Sequence, residues 1–203
     1  MPVTQKGYKN ILIDFPPFGR SDEIEGWSLF TYVDMVVAFC QYIKVEKINI
    51  IAHSFGGRVA ILISSLYPKL VDKLVLVGSA GMKPKRKLTY YMRIFAHKSL
   101  KFLGFSNFLS GSSDYTVLNS EMKKTFINIV NTYLEDYCKK ITASTLIIFG
   151  ENDAETPIYM AQRLHKLIAS SKLKILPHAG HFVYLDRSIE FNELVSDFLK
   201  EEK

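Results

Sequence analysis

"IIAHSFGGRVA", residues 50–60, sets one serine among residues with almost no side chain, directly after an apolar run. Ala52 stands two residues before Ser54, Gly56 two after, and Gly57 follows at once. A strand that passes into a helix through one residue makes a very sharp turn, and the residue at its tip is held in a strained backbone conformation. Side chains two positions to either side would collide there, which accounts for the small residues. Such a turn lifts the Ser54 hydroxyl clear of the sheet and points the start of the next helix at it. The Phe55 N–H is then expected to donate to an oxyanion. A serine hydroxyl is a poor nucleophile without a base, so the pattern alone also describes an ordinary tight turn.

Candidates for a base and an acid lie later in the chain. "LIIFGENDAETP" (146–157) places Asp153 in a loop right after an apolar run, with Glu151 and Glu155 flanking it as alternative acids. "LKILPHAGHFVYLD" (173–186) places His181 in the loop after the next run, with His178 nearby. The chemistry needs an imidazole to take the serine proton and return it to the leaving group. It also needs a carboxylate to fix the imidazole tautomer and stabilise the imidazolium. His53, beside a sharp turn, is expected to point away and pack structurally, and His97 and His165 fall in helical patterns as surface residues. No His/Cys/Asp/Glu set has metal-ligand spacing and no glycine loop would cradle a phosphate, so neither metal nor cofactor is expected.

Around these loops the chain alternates. "NILID" (10–14), "KINIIA" (47–52), "DKLVLVG" (72–78), "STLIIFG" (144–150) and "LKILP" (173–177) are short apolar runs of the kind expected for strands buried on both faces. Between them, Val33, Val36, Val37 and Cys40 follow helical spacing, as do Phe191, Leu194, Val195 and Phe198. Thr156 and Pro157 read as N-cap and first residue of another helix, with Ala161, Leu164 and Ile168 on its inner face. The expected fold class is α/β, a mostly parallel sheet flanked by helices. From Met82 to about Lys140 no strand pattern occurs. Phe126, Ile129, Val130, Tyr133 and Tyr137 have helical spacing there, and "GFSNFLSGSSD" (104–114) is turn-like. Helices inserted between two strands of a parallel sheet sit at one end of it, which implies a helical lid over the site. The expected organisation is one domain with an insertion: residues 1–81 and 141–203 form the core and 82–140 the lid.

The bulk numbers agree. A chain of 203 residues, 48% hydrophobic and 23% charged, fits one globular domain. No run is long enough to cross a bilayer, and "MPVTQKGYKN" has no apolar segment of a secretory signal. The two cysteines, Cys40 and Cys138, make no disulfide framework and read as reduced thiols of a cytoplasmic protein. The net charge of +6 is scattered apart from "KPKRK" (83–87), which lacks any accompanying nucleic-acid motif. A small-molecule substrate is expected, with neither nucleic acid nor membrane as partner.

Three stretches resemble the α/β-hydrolase superfamily, in particular its compact lidded esterase-like and lyase-like members. "NILIDFPPFGRSD" (10–22) is similar to the family's D-x-P-G-x-G-x-S loop, with Pro17 for a glycine. "IIAHSFGGRVAI" (50–61) is similar to its G-x-S-x-G elbow, with Ala52 for the first glycine. "FGEND" and "PHAGHFVYLD" match its acid and histidine loops, and the match runs from about Tyr8 to the end. The resemblance implies a serine hydrolase of a small ester, thioester or amide-like substrate acting through an acyl-enzyme. It assigns Ser54 as nucleophile, His181 as base, Asp153 as the acid and Phe55 N–H as an oxyanion donor. The departure is at the start: the family has three strands before the 14–22 loop, the third ending in an H-G loop, and only "MPVTQKGY" precedes here. The resemblance therefore implies an N-terminally truncated hydrolase fold. In the other reading, 10–14 pairs directly with 47–52. The functional alternative is a catalytically impaired or non-enzymatic fragment that acts as a binding module.

Overall fold

The computed structural model describes residues 8–16, 18–21, 26–85 and 128–201. Helix α1 (Leu29–Tyr42) begins at Ser28, whose hydroxyl accepts the Thr31 N–H while the Thr31 hydroxyl accepts the Ser28 N–H. Its buried residues Leu29, Tyr32, Val33, Val36, Val37 and Cys40 recur at helical spacing. Strand β1 (Ile48–His53) leads through Ser54 into α2 (Phe55–Leu66), and strand β2 (Val71–Val77) follows. After the short α3 (Glu135–Cys138) come β3 (Ser144–Gly150), α4 (Ile158–Leu167), β4 (Ser171–Leu176), α5 (Val183–Asp186) and α6 (Ser188–Lys200).

The described strands form one four-stranded sheet in the order β1-β2-β3-β4, every neighbouring pair parallel. Because side chains alternate along a strand, the inner strands feed two cores. Leu74, Leu76, Ile147 and Phe149 pack with α1, α2, α3 and α4 on one face. Val75, Val77, Leu146 and Ile148 pack with α5 and α6 on the other, against Val183, Phe191, Val195 and Phe198. A parallel sheet with both faces covered explains why these runs are continuously apolar.

Two elements differ from expectation. Residues 10–14 are not a strand: Ile11, Leu12 and Ile13 lie outside the sheet, with Leu12 83% exposed. A strand exists only where a neighbour takes up its backbone groups, and this segment pairs with none of the described strands. Direct pairing of 10–14 with β1 is therefore not formed. Instead its ends are tethered, Tyr8 donating its hydroxyl proton to the Leu199 carbonyl and the Tyr32 hydroxyl donating to the Pro16 carbonyl.

The helical pattern expected through Ile129, Val130, Tyr133 and Tyr137 is interrupted: residues 128–131 are helical, 132–134 are not, and α3 follows. The buried Arg58 guanidinium takes the carbonyls of Ile129, Val130 and Thr132, which an unbroken helix would need for its own ladder. The Leu134 N–H goes to the Gly81 carbonyl instead, and Leu134 is fully buried. Phe126, the 104–114 turn and most of the expected lid lie outside the described residues.

Lys73 of β2 is 5% exposed and its ammonium donates to the carbonyls of Phe198, Leu199 and Glu201 at the end of α6. Those carbonyls have no partner within the helix, and a cation favours that end of the helix dipole. Lys73→Met keeps the side-chain length and removes the donors. It is expected to cost about 1–3 kcal/mol, measured by urea unfolding; an unchanged midpoint would show that water replaces the ammonium without penalty.

Candidate active site

The carboxyl ends of all four strands supply the site. Ser54 follows β1 with φ 50° and ψ −111°, a positive φ that non-glycine residues adopt only under constraint. Three backbone hydrogen bonds fix it there. Its N–H donates to the Val77 carbonyl, and its carbonyl accepts the N–H groups of Gly57 and Ala80. The crowding is at Gly57 more than at Gly56. A Cβ at Gly57 would run into the Ser79 side chain, whereas one at Gly56 would meet Ala52 Cβ at an ordinary 3.8 Å. Phe55 opens α2, so its N–H is among those left without an acceptor inside the helix. The Phe55 ring rests in an aromatic group with Phe15 and Tyr32.

Asp153 and His181 are brought together. His181 Nδ1 donates to Asp153 Oδ2 at 2.9 Å, with both residues buried. Asp153 Oδ1 accepts the N–H groups of Glu155 and Thr156 at 2.9 and 2.8 Å, and the Thr156 hydroxyl donates to Oδ2 at 2.7 Å. Burial by itself would raise the Asp153 carboxyl. The Thr156 N–H, His181 and the Thr156 hydroxyl outweigh it and hold the group below its ordinary value, so it is a carboxylate at neutral pH. Thr156 is therefore not the cap of α4: the helix starts one residue later than expected, after Pro157, because the hydroxyl serves Asp153.

The other candidates have separate partners. The Glu151 carboxylate accepts the His178 N–H, with His178 at φ 57° in the turn. The Glu155 carboxylate lies 3.3 Å from His181 Nε2, the ring nitrogen that Asp153 does not hold. No hydrogen bond joins Ser54 Oγ to His181 among the described residues. His165 is on α4, bonded to the Ser171 hydroxyl, and His97 lies outside the described residues.

Two contributors escaped the sequence reading. His53 does not point away: its Nε2–H donates to the His181 carbonyl at 3.0 Å, and the two rings lie 4.6 Å apart. That contact carries the loop after β4 across to the end of β1. Gly78, at φ 48°, ends β2 beneath the Asp153–His181 pair, where a Cβ would come within 3.2 Å of His181 Nδ1. The sequence signal for both is adjacency, a histidine beside the nucleophile candidate and a glycine closing a strand. Next to the pair is a cleft of about 420 Å³ whose lining includes Met82, Lys85, Val130, Tyr133, Glu155 and Met160.

The sequence model of the "alpha/beta hydrolase fold" family matches residues 1–105, and that of a "TAP-like protein" family matches residues 128–203. The chain belongs to the alpha/beta hydrolase fold family. As an α/β-hydrolase it is 26% identical over 228 residues to the uncharacterized hydrolase YugF of Bacillus subtilis, a match that covers 98% of this chain and 83% of that one. The 2-hydroxy-6-oxononadienedioate/2-hydroxy-6-oxononatrienedioate hydrolase of Escherichia coli is also 26% identical, covering 98% of this chain and 78% of that one. Among solved structures it resembles the meta-cleavage product hydrolase CumD of Pseudomonas fluorescens IP01, with TM-score 0.67 and 23% identity over 92% of this chain and 76% of that one. CarC, a serine hydrolase involved in carbazole degradation, gives TM-score 0.65 and 25% identity over 92% of this chain and 76% of that one.

Burial lowers the His53 imidazole below the ordinary 6.5, against the raising effect of its bond to the His181 carbonyl. The folded protein therefore prefers His53 neutral, and the unfolded chain takes up the proton first as the pH falls. This contribution to stability is complete above 6.5 and is lost on acidification through that value towards the folded one. Urea unfolding of this hydrolase should show the decline. His53→Gln, which keeps a side-chain donor without the titration, should flatten it; an identical slope in both proteins would assign the decline elsewhere.

Proposed function

We propose that this chain is a serine hydrolase that cleaves a small ester, thioester or amide-like substrate through an acyl-enzyme. The observation that carries the reading is the buried Asp153–His181 hydrogen bond, held by His53 next to the strained turn that presents Ser54. In this reading the ionised Asp153 keeps the proton on Nδ1, which leaves the Nε2 lone pair as the base. His181 turns Nε2 to the Ser54 hydroxyl and takes its proton as oxygen attacks the carbonyl, then gives the proton to the leaving group. The Phe55 N–H donates to the developing oxyanion, in the direction favoured by the α2 dipole. The cleft beside the pair, with Met82, Val130 and Met160 on its walls, suits an apolar acyl group. No cofactor enters these steps.

The likeness to the E. coli and P. fluorescens hydrolases brings carbon–carbon cleavage of a 2-hydroxy-6-oxo acid into the same reading. It would use the same three side chains, and an assay panel should include such a compound. We also read residues 82–140 as a lid inserted into one core, which the anchoring of the returning chain by Arg58 supports. A cytoplasmic setting agrees with free, buried Cys40 and Cys138. Among the described residues no helix is long and apolar enough to cross a membrane.

A serine-reactive phosphonate is expected to label the native chain at Ser54 and to leave Ser54→Ala unlabelled. Turnover of a short-chain activated ester is expected to fall at least about 10³-fold in that variant. Native activity should decline on acidification, because a protonated Nε2 has no lone pair with which to take the serine proton. Equal labelling of both proteins, or turnover untouched by Ser54→Ala, would overturn the reading in favour of a non-catalytic binding module.

A further inference from the structure

We infer that Glu155 is a positioning residue that acts through His181: its carboxylate holds Nε2 while the ring is charged and releases it to Ser54 when the ring is neutral. The inference rests on the Ser54–His181–Asp153 reading and adds to it what controls the base before attack.

The geometry begins with the two nitrogens. Nδ1 is taken by Asp153 Oδ2 at 2.9 Å, and Nε2 faces Glu155 Oε2 at 3.3 Å. An ionised carboxylate only accepts hydrogen bonds, so the Asp153 contact requires a proton on Nδ1. In the neutral ring Nε2 then bears a lone pair, and the Glu155 contact would set two acceptors against each other. In the charged ring Nε2–H donates to Glu155 and the contact is an ion pair. The sign of this interaction reverses with a single proton.

Glu155 is built for both roles. Its N–H is fixed on Asp153 Oδ1 at 2.9 Å, while its side chain is 67% exposed and can swing into water. The main chain thus steadies the acid while the side chain faces Nε2, the nitrogen that the proposed mechanism assigns to Ser54. Among the described residues, the titratable side chains facing the His181 ring are Asp153, Glu155 and His53. The Asp153 carboxyl is held below its ordinary value by its donors, and burial lowers the His53 imidazole below the ordinary 6.5. Tyr184 of α5 meets the His53 ring, and the Phe182 ring beside His181 carries no charge. Glu155 is therefore the exposed partner whose removal changes the balance on Nε2.

The test follows the His181 ring C–H signal by NMR across the histidine range in the full chain, assigned as the signal lost in His181→Asn. In Glu155→Gln and in Glu155→Ala the signal is expected to change at a lower pH than in the native chain, the direction that follows when an anion is removed from beside Nε2. Raising the salt concentration should shrink the difference. The ratio of phosphonate labelling rates, variant over native, should exceed one on the acid side and approach one on the alkaline side. A purely structural role would not produce that convergence. Signals that change at the same pH in all three proteins would overturn the inference. A native chain that resists the phosphonate would overturn the hydrolase reading alone, because the ring signal still decides whether Glu155 holds Nε2.

Discussion

Ser54 is kept in a backbone conformation that costs an ordinary residue about 1–3 kcal/mol, and the hydrogen bonds at its two ends make that conformation the one the sheet allows. The N–H continues the β1–β2 ladder to the Val77 carbonyl, and the carbonyl is shared by Gly57 and Ala80. With both ends fixed, the chain has one residue in which to reverse from strand to helix. Much else follows from this restriction. Gly57 must lack a side chain because Ser79, just beyond β2, fills the space. Gly78 sits at a positive φ of 48°, and a side chain there would also press on the Asp153–His181 pair at 3.2–3.3 Å. The buried α2 that starts at the turn then carries Arg58 to the returning chain at Ile129–Thr132.

The polar side of the site obeys a comparable restriction. A buried carboxylate persists only if its oxygens are supplied with donors, and Asp153 has two backbone N–H groups, a hydroxyl and an imidazole. Every one of these donors comes from its own loop or from the loop after β4. Those loops are tied together by the Asn152 N–H on the Ala179 carbonyl and the Glu151 N–H on the Leu176 carbonyl. His53 adds the tie to β1 by holding the His181 carbonyl. The ring of His181 is thus oriented by its own backbone as well as by its carboxylate.

Much of this was legible in the residues. The runs of β2 and β3 could be read because an inner strand covered on both faces is largely apolar, whereas the edge strands β1 and β4 are only partly covered, with Ile51, Lys172 and Lys174 exposed. The amphipathic spacing of α1 and α6 could be read because each buries one side. The strand expected at 10–14 could not be judged from composition, since Ile11, Leu12 and Ile13 look the same whether or not a neighbour exists to pair with them. Apolar spacing from Ile129 to Tyr137 likewise reports burial and says nothing of Arg58, whose demand for carbonyls breaks the helix from seventy-odd residues away. At the site, position after a strand narrows the acid to Asp153, Glu151 or Glu155 and the base to His181 or His178. The family resemblance points to Asp153 and His181, which the structure brings within 2.9 Å of each other. The parts played by Thr156 and His53 depend on which way a side chain turns, and chain order does not record that. The sequence offers Glu155 as an alternative acid, whereas its carboxylate lies beside the other nitrogen of the ring.

The clamp formed by Arg58 has an architectural consequence. The guanidinium seizes the chain at Ile129–Thr132, and the Leu134 N–H is bonded to the Gly81 carbonyl, so departure and return of the excursion are fastened to each other and to the core. The register of β3 beside β2 is thereby insulated from whatever connects Lys85 to Asn128. Such a graft point lets the intervening sequence be lengthened, shortened or exchanged in evolution while the strand ends that carry Ser54, Asp153 and His181 keep their alignment.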